Sequence, residues 1–267
     1  MKNKQKKIVI TGAGSGLGKL AAINLAKRGH LVYATTQYDY QMEDLKKISE
    51  KYDNRLKTFK MDILNDDDIE KLNDIDFNVL INNAGIGDSG SVAEVDIDRF
   101  RSVFETNVFR SIKVSQIALK KFIDNNDGRI LFVASLFGKM TYPFLSPYCS
   151  TKFAIEAFAT SLRAEMKMLD GKDIQIGIIE PGAYHTGFNQ VNMAKKYDWM
   201  KDKSYFKYKL EEIKKKENLF FKIMEEKKFA NIIKQYIKSV EDSKVKHRYT
   251  APKLQAFLVN VGRFIDI

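Results

Sequence analysis

Cysteine, proline, histidine and tryptophan are all scarce in this chain, with one Cys, four Pro, three His and one Trp in 267 residues. The single thiol, Cys149, excludes any intrachain disulfide and fits a reducing compartment. No apolar run approaches the ~20 residues that a membrane-spanning helix requires. There is no internal repeat, no Pro- or Ser-rich linker and no low-complexity tract, so residues 1–267 read as one domain. The amino end is basic from Met1 to Lys7, like the start of a signal peptide, but the apolar run behind it extends only from Ile8 to Ile10. A cytoplasmic protein is expected.

Negative charge is the minority sign: 34 Asp and Glu stand against 45 Lys and Arg, a net charge of +11. Such an excess raises nucleic acid or an anionic membrane as partners. Its distribution argues against both, because between Lys195 and Lys228 twelve Lys are intermixed with seven Asp or Glu, the pattern of a solvated helical face.

What the chain does contain is alternation. Short apolar runs at 7–11, 31–36, 56–61, 77–81, 129–134 and 174–179 are separated by amphipathic stretches, which predicts βαβ units and a parallel sheet covered on both faces. Phe229, Ile232, Ile233, Tyr236, Ile237 and Val240 recur at helical spacing and predict a core helix.

Two motifs carry chemistry. Lys7 to Thr11 runs into Gly12-Ala-Gly-Ser-Gly16-Leu-Gly18 and then a helical stretch from Lys19 to Arg28. Glycines let a backbone approach a pyrophosphate, and a helix amino terminus offers it free N–H groups. The spacing is T-G-x-x-x-G-x-G, through Thr11, Gly12, Gly16 and Gly18; Gly14 is extra, and the commoner G-x-G-x-x-G does not fit. In the second motif, Tyr148 and Lys152 lie one helical turn apart, with Ser135 at the end of the apolar run 129–134. At ~4 Å and an effective dielectric of ~20, an ammonium stabilises a phenolate by ~4 kcal/mol, about three pK units. The expected result is a phenol brought towards neutrality, ready for proton transfer.

With these residues the chain resembles the short-chain dehydrogenase/reductase family from about Lys6 to Thr186. Besides the glycine loop, Asp62 ends the third strand and Asn82-Asn83-Ala84-Gly85 ends the fourth. Asn107 sits in Glu105-Thr-Asn-Val, and Pro181-Gly182-x-x-x-Thr186 follows the sixth strand. The resemblance implies a single-domain doubly wound Rossmann fold of the α/β class and an enzyme moving a hydride between a nicotinamide and a carbonyl or alcohol. Tyr148 is then the general acid or base and Ser135 holds the substrate oxygen. Lys152 serves both the phenol and the nicotinamide ribose, and Asn107 kinks its helix and holds a relay water. The implied cofactor contacts are Gly12, Ser15, Gly16, Leu17, Gly18, Thr36, Gln37, Asp62, Asn83, Ala84, Gly85, Tyr148, Lys152, Pro181, Gly182 and Thr186. Asn83 reads as a brace more than a ligand contact, and no metal is implied.

At the end of the second strand an acidic residue would read the ribose of NAD and repel the 2′-phosphate of NADP. Thr36 occupies that position and Gln37 the next, so NADP(H) is favoured, although Asp39 is near. The loop Leu136 to Leu145 and Tyr184, His185, Phe188, Trp199, Tyr205 and Phe206 suit a bulky hydrophobic substrate such as a ketone, aldehyde, steroid or retinoid. The same aromatics also suit core or a subunit interface, and a homodimer or homotetramer is expected. Residues from about 189 to 228 are expected to form a lid. The rival reading, a non-catalytic dinucleotide sensor of the same fold, predicts a damaged catalytic set, whereas Asn107, Ser135, Tyr148 and Lys152 are all present.

Overall fold

The computed structural model describes residues 4–264, so Met1, Lys2 and Asn3 of the basic amino end lie outside it. In chain order the elements are β1 (Lys7–Ile10), α1 (Gly16–Lys27), β2 (Leu31–Thr36), α2 (Asp39–Ser49), β3 (Leu56–Lys60), α3 (Asp66–Glu70) and β4 (Val79–Asn82). There follow α4 (Ile97–Phe104), α5 (Arg110–Asp124), β5 (Asp127–Val133), α6 (Ser146–Met166) and β6 (Asp173–Pro181). The chain closes with α7 (Phe188–Lys203), α8 (Leu210–Met224), α9 (Ala230–Glu241), β7 (Arg248–Ala251) and α10 (Lys253–Phe264).

The strands form one parallel seven-stranded sheet in the order β3-β2-β1-β4-β5-β6-β7. Alternation along each strand builds two cores. Ile8, Ile10, Val79, Ile81, Leu131 and Ile179 face α1 and α9, where they meet Leu25, Ile232 and Tyr236. Val9, Leu80, Ile130, Phe132, Ile176 and Ile178 face α5 and α6, where they meet Val114, Phe122 and Ile155. Fully burying one such side chain contributes about 1.5–3 kcal/mol, and cutting Leu25 back to Ala should cost about 2–5 kcal/mol. The Phe229–Val240 periodicity is realised as α9, with Ile232, Ile233, Tyr236 and Val240 buried.

Three expectations need correction. The first helix begins at Gly16, not Lys19, because the glycine turn feeds straight into it after Ser15. The seventh strand, Arg-Tyr-Thr-Ala, has too few apolar residues to stand out, and it is held by register with β6. The third concerns the mixed-charge segment. Lys196 on α7 and Glu217 on α8 are both buried, with Nζ 2.7 Å from Oε1, and the Tyr197 hydroxyl donates to the same carboxylate. The spacing of twelve Lys and seven acids gives no sign of which pair turns inward.

Another buried charge ties the sheet to its last quarter. Arg129 of β5 donates from Nη1 to the carbonyls of Ser239 (2.7 Å) and Val240 (2.5 Å) and from Nη2 to that of Asp242 (2.9 Å). These are the free carbonyls at the carboxyl end of α9, where the helix dipole is negative.

Candidate active site

The chain leaves β1 towards β2 and β3, then returns to place β4 on the other side of β1. The crevice at that switch point is where open α/β sheets bind ligands, and both the glycine loop and Asn82 to Gly85 open into it. Gly12 has φ +63 and Gly16 φ +54, left-handed values that favour glycine. A Cβ on Gly12 would lie 2.7 Å from Ala84 Cα, and one on Gly18 would lie 2.3 Å from Asn83 Nδ2. The loop therefore packs directly on the backbone of Ala84 at Gly12 and on the Asn83 side chain at Gly18. Asn83 Nδ2 donates to the carbonyls of Thr11 and Gly12, both at 3.0 Å, and its Oδ1 accepts from the Tyr236 hydroxyl at 3.0 Å. Asn83 is thus a brace between loop, β4 and α9.

At the start of α1, Ser15 is exposed and its hydroxyl makes no capping bond. Leu17 follows it in the first turn, whose N–H groups have no carbonyl one turn before them. A Cβ on Gly16 would stand 3.8 Å from Thr186 Cβ, so the Pro181–Thr186 segment faces the cradle from the other wall.

The β2 end is arranged differently from the sequence expectation. Thr36 is fully buried and its hydroxyl has no partner. The exposed neighbour is Gln37, whose Nε2 donates to Asp62 Oδ2 at 3.2 Å. Asp39 is engaged by Lys60 at 2.9 Å.

The proton-handling groups converge from β5, α5's leading segment and α6. Ser135 follows β5, with its hydroxyl donating to the Pro181 carbonyl at 3.4 Å and accepting from Phe137 N at 3.1 Å. Tyr148 and Lys152 share one face of α6, with Nζ 5.5 Å from the phenol ring centroid and donating to the Val133 carbonyl at 2.9 Å. Asn107 lies in a π-turn spanning Glu105–Phe109 between α4 and α5. Its side chain exchanges two hydrogen bonds of 2.8 Å with the backbone of Ile86 and donates to Thr151 Oγ1 at 3.0 Å. The kink expected from a mid-helix Asn is therefore a wide turn, a feature frequent at functional sites.

Electrostatics correct one expectation. Burial pushes the Tyr148 phenol up from its ordinary value, with the Ser135 hydroxyl pulling it partly back. Burial also lowers Lys152, to about 8. Desolvation of the phenolate outweighs the attraction assumed from spacing, because the ammonium sits over the ring and spends a proton on Val133.

Sequence reasoning missed the groups behind the set. Glu156 lies one turn beyond Lys152, a spacing that was available to see. It is buried with Glu180, the residue before Pro181, and Arg248 binds both, at 2.9 Å to Glu156 and 3.2 Å to Glu180, while Lys139 reaches Glu180 at 2.5 Å. Burial and the neighbouring Glu180 carboxylate hold Glu156 well above the usual carboxylate range.

Of the aromatics assigned to a pocket, Phe188 does lie against Tyr148, at 5.6 Å between ring centroids, and Phe206 packs on Phe144 at 5.2 Å. Tyr184 is a core residue bonded to Asn231, and Tyr205 is 83% exposed. Trp199 packs under Arg99 against Gly90, and His185 pairs with Glu225. A smaller apolar cluster, including Leu145, Cys149, Met193 and Phe221 with Phe137 and Tyr142, fills the space beside the catalytic helix.

A parallel switch-point sheet, a phosphate cradle and a Ser-Tyr-Lys set with Ser135 and Lys152 buried define an oxidoreductase that uses a nicotinamide dinucleotide. The short chain dehydrogenase family model matches residues 6–196, and the chain belongs to that family. It is 33% identical over 197 residues to the uncharacterized oxidoreductase YusZ of Bacillus subtilis, covering 71% of this chain and 69% of that protein. It is 32% identical over 190 residues to the mitochondrial D-beta-hydroxybutyrate dehydrogenase of Mus musculus, covering 67% of this chain but only 54% of the relative. A solved short-chain dehydrogenase from Streptomyces avermitilis has the same fold, with TM-score 0.78 and 21% identity over 98% of this chain and 94% of that one.

Proposed function

We propose that this chain reduces hydrophobic ketones or aldehydes, or oxidises the matching alcohols, with NADP(H) favoured over NAD(H). The observation that carries the reading is the intact set Asn107, Ser135, Tyr148 and Lys152 at the mouth of the glycine cradle. The cradle fits a dinucleotide. Gly12, Ser15, Gly16, Leu17 and Gly18 would hold the pyrophosphate, Ala84 and Gly85 the adjoining ribose, and Asp62 the adenine. Pro181, Gly182 and Thr186 would hold the nicotinamide end. When bound, the nicotinamide gives or takes a hydride. The chain's own groups do the rest: Ser135 orients the substrate oxygen, Tyr148 supplies or removes its proton, and Lys152, with Asn107 behind it, restores that proton.

The preference for NADP(H) rests on the absence of a carboxylate at Thr36 and on the neutralisation of Asp39 by Lys60. The hydrophobic substrate rests on Phe188 against Tyr148 and on the apolar cluster around Leu145 and Met193. Helices α7 and α8 would be the lid, seated on the 87–94 loop through Trp199 against Gly90 and through hydrogen bonds. Asn192 accepts from Gly87 N at 3.2 Å, Lys195 donates to the Gly87 carbonyl at 2.8 Å, and Glu94 accepts from Ser204 Oγ at 3.0 Å. Closure excludes water from the reaction. A homo-oligomer is inferred from an apolar groove of about 1000 Å³ along α4, where Ile97 and Phe109 are exposed. The lone buried Cys149 suits the cytoplasm.

The test is a panel of ketones, aldehydes and alcohols assayed with NADPH and with NADH. Turnover of apolar carbonyls with NADPH bears the reading out; turnover confined to small hydrophilic acids overturns the substrate class, and dinucleotide binding without any turnover favours the sensor.

A further inference from the structure

The last helix is inside out. Along α10 the side chains of Leu254, Phe257, Leu258 and Val261 are 70%, 63%, 49% and 40% exposed, at the i, i+3, i+4, i+7 spacing of a single stripe. Among the described side chains of α10 the buried ones are Gln255 and Val259. Gln255 anchors the helix, accepting from Ala183 N at 2.8 Å and donating to the Met224 carbonyl at 2.6 Å. The anchor fixes α10 beside the end of α8, whose own outward face carries exposed Leu219 and Ile223 with exposed Lys215, Lys216 and Lys222. Lys227, Lys228 and Lys253, also exposed, lie on either side of that junction in the chain. From Lys253 to Phe264 there is no acidic residue.

We propose that α10 and the outer face of α8 dock on an anionic membrane surface, with the apolar stripe among the acyl chains and the lysines at the headgroups. A helix lying in the interface needs this combination of outward apolar side chains and basic neighbours. It does not need to span the bilayer, and among the described residues no helix is long and apolar enough to do so. Helix α10 lies beyond the intermixed stretch 195–228; α8 lies within it, but its acidic first turn, Glu211 and Glu212, is two turns from Leu219 and Ile223. On α8 the buried Glu217 pairs internally with Lys196 and the exposed Glu212 pairs with Lys209 and Lys216, so the outward cations that carry the docking are Lys215 and Lys222. Pairing with a second copy through the same face would bring those lysines against each other. The position is also apt for delivery of an apolar substrate: Gln255 holds Ala183, within three residues of Thr186 at the catalytic mouth.

Sedimentation of the full chain with vesicles tests this. Vesicles of phosphatidylcholine alone are compared with vesicles containing about a third phosphatidylserine, at low and at raised salt. The expected result is binding to the anionic vesicles that weakens with salt and falls on the order of tenfold or more in Phe257→Ser/Leu258→Ser. Lys215→Glu/Lys222→Glu, at exposed positions away from the catalytic set, should weaken it by a similar factor. This second variant keeps the test decisive if the first fails to fold. No vesicle binding, equal binding to both lipid mixtures, or a concentration-dependent dimer that Phe257→Ser/Leu258→Ser abolishes would each overturn the proposal.

Discussion

The cofactor half of the molecule, roughly residues 6–186, and the α7–α8 region beyond it solve opposite problems. In the first, backbone meets backbone at Gly12 against Ala84, and Gly18 admits the Asn83 side chain that serves as a strut. Little freedom remains in which residues can stand there, so the positions announce themselves. In the second, side chains meet side chains, and a buried ion pair takes the place of an apolar contact. Substitution at the catalytic positions of the first region should therefore strike chemistry with the fold preserved, and substitution at the buried ion pair of the second should strike local stability first.

The sharpest way to break that contrast is Tyr148→Phe. The ring still packs on Phe188 while the proton donor is gone, and turnover should fall towards the upper end of the ~100- to 10,000-fold typical of general acid-base catalysis. Retention of a tenth of wild-type rate, measured in steady state, would remove Tyr148 from its role. Next comes Lys196→Met, which leaves Glu217 buried without its cation and should cost about 3–5 kcal/mol. Lys196→Met/Glu217→Leu should recover most of that loss in denaturant melts. If the single variant melts like the wild type, the pair is not the lid's internal tie.

Raising the pH offers a smaller test. Lys152 discharges at about 8 in the folded chain, so reduction should slow above that value, about tenfold per unit once the ammonium is lost. The unfolded chain keeps this proton until near 10.5, so over the same interval the unfolded state binds more protons and this group adds stability. A rate loss accompanied by a falling melting temperature would point to unfolding instead. Smaller still is the effect at the β2 end. Gln37→Asp, at the exposed position next to the fully buried Thr36, should shift the NADPH to NADH preference towards NADH by about tenfold, since a carboxylate repels the 2′-phosphate. Isothermal titration reads the ratio directly, and a wild type that already prefers NADH would reverse the assignment. Last, amide exchange across 189–228 should slow on cofactor and substrate binding; slow exchange throughout, independent of ligand, would make α7–α8 a fixed wall.

Legibility in the sequence follows the same division. The glycine loop, Ser135, Tyr148 and Lys152 could be picked out because their spacing follows from one strand end or one helical turn, and the structure gathers them at one crevice; Asn107 was visible only through the family resemblance. The sheet could be read because a strand buried on both faces is continuously apolar. β7 escaped because its identity lies in pairing with β6, and Lys196 and Glu217 because composition does not say which of nineteen intermixed charges turns inward. Glu156 and Glu180 were visible as residues, but nothing in their separation of twenty-four positions announces a contact.

The guanidinium of Arg129 sets a boundary that similarity does not. The match to the family model ends at residue 196, yet this cation at the base of β5 finds its three backbone acceptors at Ser239, Val240 and Asp242, beside one longer bond of 3.4 Å to Gln175 Oε1. A fragment cut where the family likeness fades would take away these carbonyls and the end of α9 that covers them, opening the base of β5 to water. The smallest autonomous piece of this molecule is thus longer than its recognisable one, and the stretch least shared with kin is what lets the shared part stand.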